Sequence, residues 1–287
     1  KEFLMYSNWL FNINNKRKNM IENFFIHGCS HTAGSELKSW EDNKNCFDQD
    51  VGLTEIPAKC YYDSWANNVG RKLGILKIIN NAVPGSSNDH ILEHTIRFIN
   101  EAKNKSNIFV IIGWTGADRL FLKSDDPGKP FVINRGVAGH YMFIPGLIGA
   151  KESRNSIPMK PEHEIMYKEL LKTDWGKWTE IQYRMLLQHF TLQSFLEKHE
   201  VPYLFINMLF PFAIKTIKKD KRLLGLYKLL NIKRIYKGGA GDGCYYDRFT
   251  NDSSTVWNRN HHIGQESQDI FAMEVYKYIK ENDLLLR

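Results

Sequence analysis

Short apolar runs ending in glycine or polar turns alternate along this chain with segments whose apolar residues recur every three to four positions. The run Asn-Phe-Phe-Ile-His-Gly at residues 23–28 predicts a buried strand leading into a turn. Runs at 108–113 and 201–208 are β-branched, aromatic and nearly continuous in apolar character, as expected of parallel strands covered on both faces. Residues 75–80 form a weaker fourth strand. Between them, residues 64–73 place Trp65, Val69 and Leu73 on one helical face, and residues 89–102 do the same with Ile91, Thr95, Phe98 and Ala102. Helices at 179–199 and 267–281 complete a βαβ series. The expected fold is α/β, a three-layer α/β/α flavodoxin-like sandwich on a parallel sheet, with ligands at the carboxyl ends of the strands.

Residues 120–178 break this rhythm with Pro127, Pro130, Pro145, Pro158 and Pro161 among glycines and aromatics. A loop-rich insertion over the site is expected there, serving as a lid or a surface elaboration. The remainder reads as one domain from residue 20 to 287, preceded by an extension at 1–19. No stretch approaches the roughly 20 apolar residues that cross a bilayer. In residues 1–19 the charges follow a short apolar stretch, the reverse of a secretory leader, so the expected location is cytoplasmic.

Composition changes this picture little. Hydrophobic residues make up 43% and charged residues 25% of 287, ordinary globular values. The net charge of +7 suits an anionic partner, yet 39 basic residues are spread among 32 acidic ones. The densest basic group, Lys215, Lys218, Lys219, Lys221 and Arg222, alternates with Ile and Leu and is expected on the wet face of a helix. Nucleic acid is therefore not an expected partner. Cys29, Cys46, Cys60 and Cys244 are widely spaced, with no CxxC pair and no histidine group at zinc spacing, so a structural metal is not expected.

Four segments carry the candidate chemistry. His27-Gly28-Cys29-Ser30-His31-Thr32-Ala33-Gly34 follows the first strand, and its flanking glycines allow a tight turn that exposes a hydroxyl. Ala82-Val83-Pro84-Gly85-Ser86-Ser87-Asn88-Asp89 precedes a helix that Ser87, Asn88 or Asp89 can cap, and the Gly85 amide is an unobstructed donor for an oxyanion. Gly113-Trp114-Thr115-Gly116 ends the central strand with a second hydroxyl. Asn260-His261-His262-Ile263-Gly264 lies in a polar loop before the last helix.

In this order the four segments resemble the blocks of the SGNH (GDSL-type) hydrolase superfamily, over most of the chain. Gly28-Cys29-Ser30 resembles the Gly-Asp-Ser block, which implies Ser30 as nucleophile, and Gly85 resembles the oxyanion glycine. The third block of the family reads Gly-x-Asn-Asp; here Thr115 takes the asparagine's place, a variant similar to phage-encoded members. His262 resembles the base of the last block, and the family's acid three residues earlier falls on Arg259. The alternatives are then a Ser-His dyad with a backbone carbonyl orienting the ring, an acid such as Asp252 or Asp242, or a degenerate site. His31, Asn88, Trp114 and His261 are substrate-pocket candidates.

The resemblance implies a cofactor-free serine esterase acting on a small-molecule or glycan ester, such as an O-acetyl group, through an acyl-serine. An O-acyltransferase using the same intermediate, and a catalytically silent binding or virion-associated module, are the alternatives.

Overall fold

The computed structural model describes residues 21–42, 58–84, 86–123, 140–143, 165, 169–170, 172–252, 255 and 262–286. In chain order the strands are β1 (Asn23–Gly28), β2 (Lys77–Asn80), β3 (Ile108–Trp114), β4 (Leu120–Lys123), β5 (His140–Phe143) and β6 (Tyr203–Asn207). Four of them form one parallel sheet in the order β2-β1-β3-β6. Single parallel bridges from Phe205 to Ile235 and from Asn207 to Cys244 extend its β6 edge.

Alternation along the strands sorts the core into two layers. Phe24 and Ile26 of β1, Phe109 and Ile111 of β3, and Leu204 and Ile206 of β6 pack on one face against helices α3 (Trp65–Lys72), α8 (Tyr245–Thr250) and α9 (Gln265–Glu281). Phe25, Val110, Ile112, Tyr203 and Phe205 face the other way, onto α4 (Asn88–Glu101), α5 (Trp178–Lys198) and α7 (Lys221–Leu229). Each such side chain contributes about 1.5–3 kcal/mol of burial, and both faces are covered, which explains why these strands read as continuous apolar runs. This is the expected three-layer α/β/α arrangement.

Local signals account for the helix starts. The Ser64 hydroxyl caps α3 by accepting from the Asn67 amide, and Ser87 caps α4 by accepting from the His90 amide. Helix α6 (Ile214–Lys219) and α7 bury Ile217 and Leu223, while Lys215, Lys218, Lys219, Lys221 and Arg222 are all exposed, the wet face that the pattern implies. Cys29 and Cys244 are buried free thiols.

Of the expected insertion, the described part holds the antiparallel β4–β5 pair and a turn at Asp174–Gly176. Most of its remainder, the 1–19 extension and Cys46 lie outside the described residues. Among the described residues no helix is long and apolar enough to cross a membrane.

β1 has β2 on one side and β3 on the other, so the chain reverses its winding direction between β1 and β3. A crevice opens beyond the carboxyl ends of strands at such a point. Gly28 pairs with Gly113 at that end, and the two candidate hydroxyl segments leave the sheet there together.

Candidate functional site

The turn after β1 is built around Thr32. A Cβ on Gly28 would lie 2.3 Å from Thr32 Oγ1, and one on Gly113 would lie 2.1 Å from it. Only glycine on both strands admits the Thr32 side chain. Ser30 opens the single helical turn α1 (Ser30–Ala33), which Gly34 ends in a left-handed conformation, φ 73°, with its amide donating to the Ser30 carbonyl. Ser30 itself is half-buried.

The chain then turns once more at Glu36, a non-glycine residue at φ 67°. This brings the Glu36 carboxylate to His262, whose Nδ1 lies 3.2 Å from Oε2. Both side chains are mostly sheltered, 13% and 17% exposed for His262 and Glu36 respectively. A neutral imidazole that donates from Nδ1 to a carboxylate keeps its Nε2 lone pair for accepting a proton. The carboxylate that the structure places at His262 Nδ1 is that of Glu36, not of Asp252 or Asp242. Asp252 pairs instead with Arg248 at 3.2 Å, and Asp242 is exposed in the turn Gly241–Gly243.

His262 packs on His31, with ring centroids 4.7 Å apart. Tyr245 and Tyr246 flank His31 at 5.4 and 6.4 Å. The indole Nε1 of Trp65 donates to the His31 carbonyl, and Gln268 ties the Trp65 amide to the Tyr245 hydroxyl. Helices α3, α8 and α9 therefore hold the Ser30 turn and the His262 loop in one register. Burial, then the fields of His262 and Arg119, hold the His31 imidazole well below its ordinary pKa, so it is neutral.

At the end of β3, Thr115 is completely buried. Its amide donates to Asn88 Oδ1 at 2.8 Å and its carbonyl accepts from Asn88 Nδ2 at 3.3 Å. Asn88 also donates to Gln188. The side chain expected to line a substrate pocket is a two-point clamp on the Thr115 peptide, because an amide matches a backbone amide group for group. Trp114, expected in the same pocket, is a core residue, completely buried against His189 at 4.8 Å and Phe205 at 5.6 Å.

Arg119 donates from Nη1 to the Ser86 carbonyl at 3.1 Å, anchoring the middle of the second segment. Before that block, the Asn81 and Val83 amides continue the pairing with β1 through the Ile26 and Gly28 carbonyls. Gly85, His261 and Arg259 lie outside the described residues.

Four polar atoms in this crevice are buried with no hydrogen-bond partner among the described residues: Thr32 Oγ1, Ser35 Oγ, Thr115 Oγ1 and His31 Nδ1. Each such group costs about 1–3 kcal/mol unless water, another residue or a ligand meets it. Glu36 escaped the sequence reading because its contact spans 226 positions; its place six residues after Ser30 is the one signal that could have suggested it.

The chain resembles several solved structures at low identity. TesA is 10% identical, with a TM-score of 0.42 over 91% of this chain and 99% of that one. The psychrotrophic esterase EstA from Pseudoalteromonas sp. is 11% identical, with a TM-score of 0.43 over 91% and 97%. Phospholipase A1 from Streptomyces albidoflavus is 11% identical, with a TM-score of 0.42 over 91% and 99%. At these scores the likeness carries no functional inference, and the parallel sheet stands on its own registers. No curated protein matches the chain in sequence. A family model does match, over residues 42–287, and by it the chain belongs to DUF6071, a family of unknown function.

Proposed function

We propose that the chain is a serine ester hydrolase of the SGNH type, in which Glu36, His262 and Ser30 form the proton relay. The observation that carries this reading is the sheltered Glu36–His262 pair, stacked on the residue next to Ser30. In this mechanism the Nε2 of His262 takes the proton of Ser30 Oγ as that oxygen attacks an ester carbonyl. Glu36 holds the ring in the accepting tautomer and offsets the positive charge that forms on it.

The tetrahedral oxyanion takes hydrogen bonds from the Ser30 amide, which has no intrahelical acceptor at the first position of α1, from the Gly85 amide and from the Thr115 hydroxyl. Thr115 supports that role because its hydroxyl is buried, lacks a described partner and sits on a peptide clamped by Asn88. His262 then protonates the departing alcohol, and water, activated by the same ring, releases the acyl group and restores Ser30. The step needs no metal or organic cofactor. A small acyl group, such as acetate on a carbohydrate, is the proposed substrate class.

Hydrolysis of p-nitrophenyl acetate by the wild type beside Ser30→Ala and His262→Ala tests this. Turnover that falls by about 10⁴-fold or more in either variant supports the relay. Absence of turnover in the wild type, toward this ester and toward acetylated sugars, refutes it in favour of a binding module.

A further inference from the structure

On the face of the sheet opposite Phe24 and Ile26, β1 carries His27, and α4 presents His90 and His94 to it. His90 and His94 are one helical turn apart, so their rings share one side of α4, with centroids 4.4 Å apart. The His27 ring meets both edge-on, at 5.4 and 5.7 Å. One nitrogen from each of the three lies within 4.8 Å of the others.

Three features make this more than a stack of aromatic rings. The His27 side chain is completely buried. Its Nε2 is fully buried with no hydrogen-bond partner among the described residues. The Ser86 hydroxyl, 3.1 Å from His90 Nδ1, can accept a hydrogen bond from Nδ1–H and so leave Nε2 as the ligand nitrogen, the outer contact that orients metal-bound histidines. His94 is the partly exposed member and provides a route from solvent.

We infer that His27, His90 and His94 form a binding site for a divalent transition-metal ion of the zinc class, separate from the Ser30 crevice. Three imidazoles suit zinc, cobalt, nickel or copper, whereas calcium and magnesium demand oxygen ligands. Nitrogens bound at about 2.0–2.1 Å around a tetrahedral ion stand roughly 3.4 Å apart, so the rings close by about an ångström, and water takes the fourth position.

Two contacts oppose binding and set its strength. The Gly28 amide donates to His27 Nδ1 at 2.8 Å, so the proton of that neutral ring sits on Nε2; ligation breaks this bond and moves the proton, or turns the ring over. The exposed Arg97 guanidinium lies 3.0 Å from His94 Nε2 and must swing away. The site therefore binds more weakly than a preformed zinc centre. Through Ser86, whose carbonyl also holds Arg119, a bound ion stiffens the segment after Gly85.

Titration of the full-length protein with Zn²⁺ by calorimetry, and with Co²⁺ by visible absorption, tests the site. One equivalent bound, with the intense bands of a nitrogen-coordinated tetrahedral cobalt ion, is expected. His94→Gln should weaken binding at least tenfold while leaving the fold intact, because that side chain is partly exposed. Arg97→Ala, which removes an opposing cation and no ligand, should tighten it several-fold. Unchanged affinity in His94→Gln, or binding lost in His262→Ala instead, would place any metal elsewhere and overturn the inference, as would no binding at all.

Discussion

Replacing Glu36 by Gln changes one oxygen to an amide nitrogen and leaves the volume and the backbone turn as they are. The geometry sets the size of the effect. A carboxylate 3.2 Å from Nδ1 stabilises an imidazolium by roughly 5 kcal/mol at the effective dielectric constant of about 20 that suits partly buried pairs. Both groups are mostly sheltered but keep some contact with water, so about 3–4 kcal/mol of that is expected to be lost. This corresponds to about 10²- to 10³-fold in kcat. The amide can also donate to Nδ1, which moves the ring proton to Nε2 where it blocks the base; the comparable change in a Ser-His-Asp triad costs about 10⁴, the upper bound here. The assay is kcat and KM for p-nitrophenyl acetate in the wild type, Glu36→Gln, Asp252→Asn and Asp242→Asn, with melting temperatures as the folding control. The loss should fall on kcat in Glu36→Gln alone. Should Glu36→Gln keep more than half the wild-type kcat, or should Asp252→Asn lose more, the relay through Glu36 is wrong.

Other expectations follow from the packing. Gly113→Ala should destabilise the protein by several kcal/mol, because its Cβ would meet Thr32 Oγ1 at 2.1 Å, and Thr32→Ala should restore most of that loss. Gly28→Ala should resist the same rescue, since its Cβ also meets the Gly113 carbonyl at 2.9 Å; thermal unfolding of the two double variants distinguishes the cases. Asn88→Ala strands the buried Thr115 amide and should cost about 1–3 kcal/mol by denaturant unfolding, together with a fall in esterase activity. His189, pushed down to about 4 by burial, faces two acceptors, the Met185 carbonyl and Asn207 Oδ1, and as a neutral ring donates to only one of them. Its folded pKa lies below the unfolded value near 6.5, so the unfolded chain binds the extra proton and stability is lost as pH falls from about 6.5 toward 4. That amounts to about 2 kcal/mol by pH 5, or a melting temperature lower by roughly 4–8 °C, and His189→Gln should flatten this dependence.

Much of the scaffold was legible in the sequence because it rests on local periodicity. The strands at Phe24, Val110 and Leu204 are buried on both faces, and that burial writes itself as continuous apolar runs. The cap at Ser87 was readable for the same reason, a hydroxyl just before an amphipathic stretch. The partner of His262 was not, since Glu36 reaches it through a left-handed turn and across the whole length of the chain. The placement of Trp114 in the core and of Asn88 on the Thr115 peptide was not legible for a related reason. A residue at the carboxyl end of a strand faces either the crevice or the core, and only the packing of His189 and the amide pairing with Thr115 decide which. The histidine group shows the limit of reading by spacing: His90 and His94 stand four apart on one helix, but His27 comes from a strand 63 positions before His90.

The central claim is that Ser30 is an activated nucleophile, and covalent capture tests it most directly. The purified protein is treated with a fluorophosphonate, digested, and the adduct is located by peptide mass. A single adduct on Ser30, absent in Ser30→Ala and slowed at least a hundredfold in Glu36→Gln, is the expected result. An unlabelled wild type, or an adduct on a residue other than Ser30, would contradict the account.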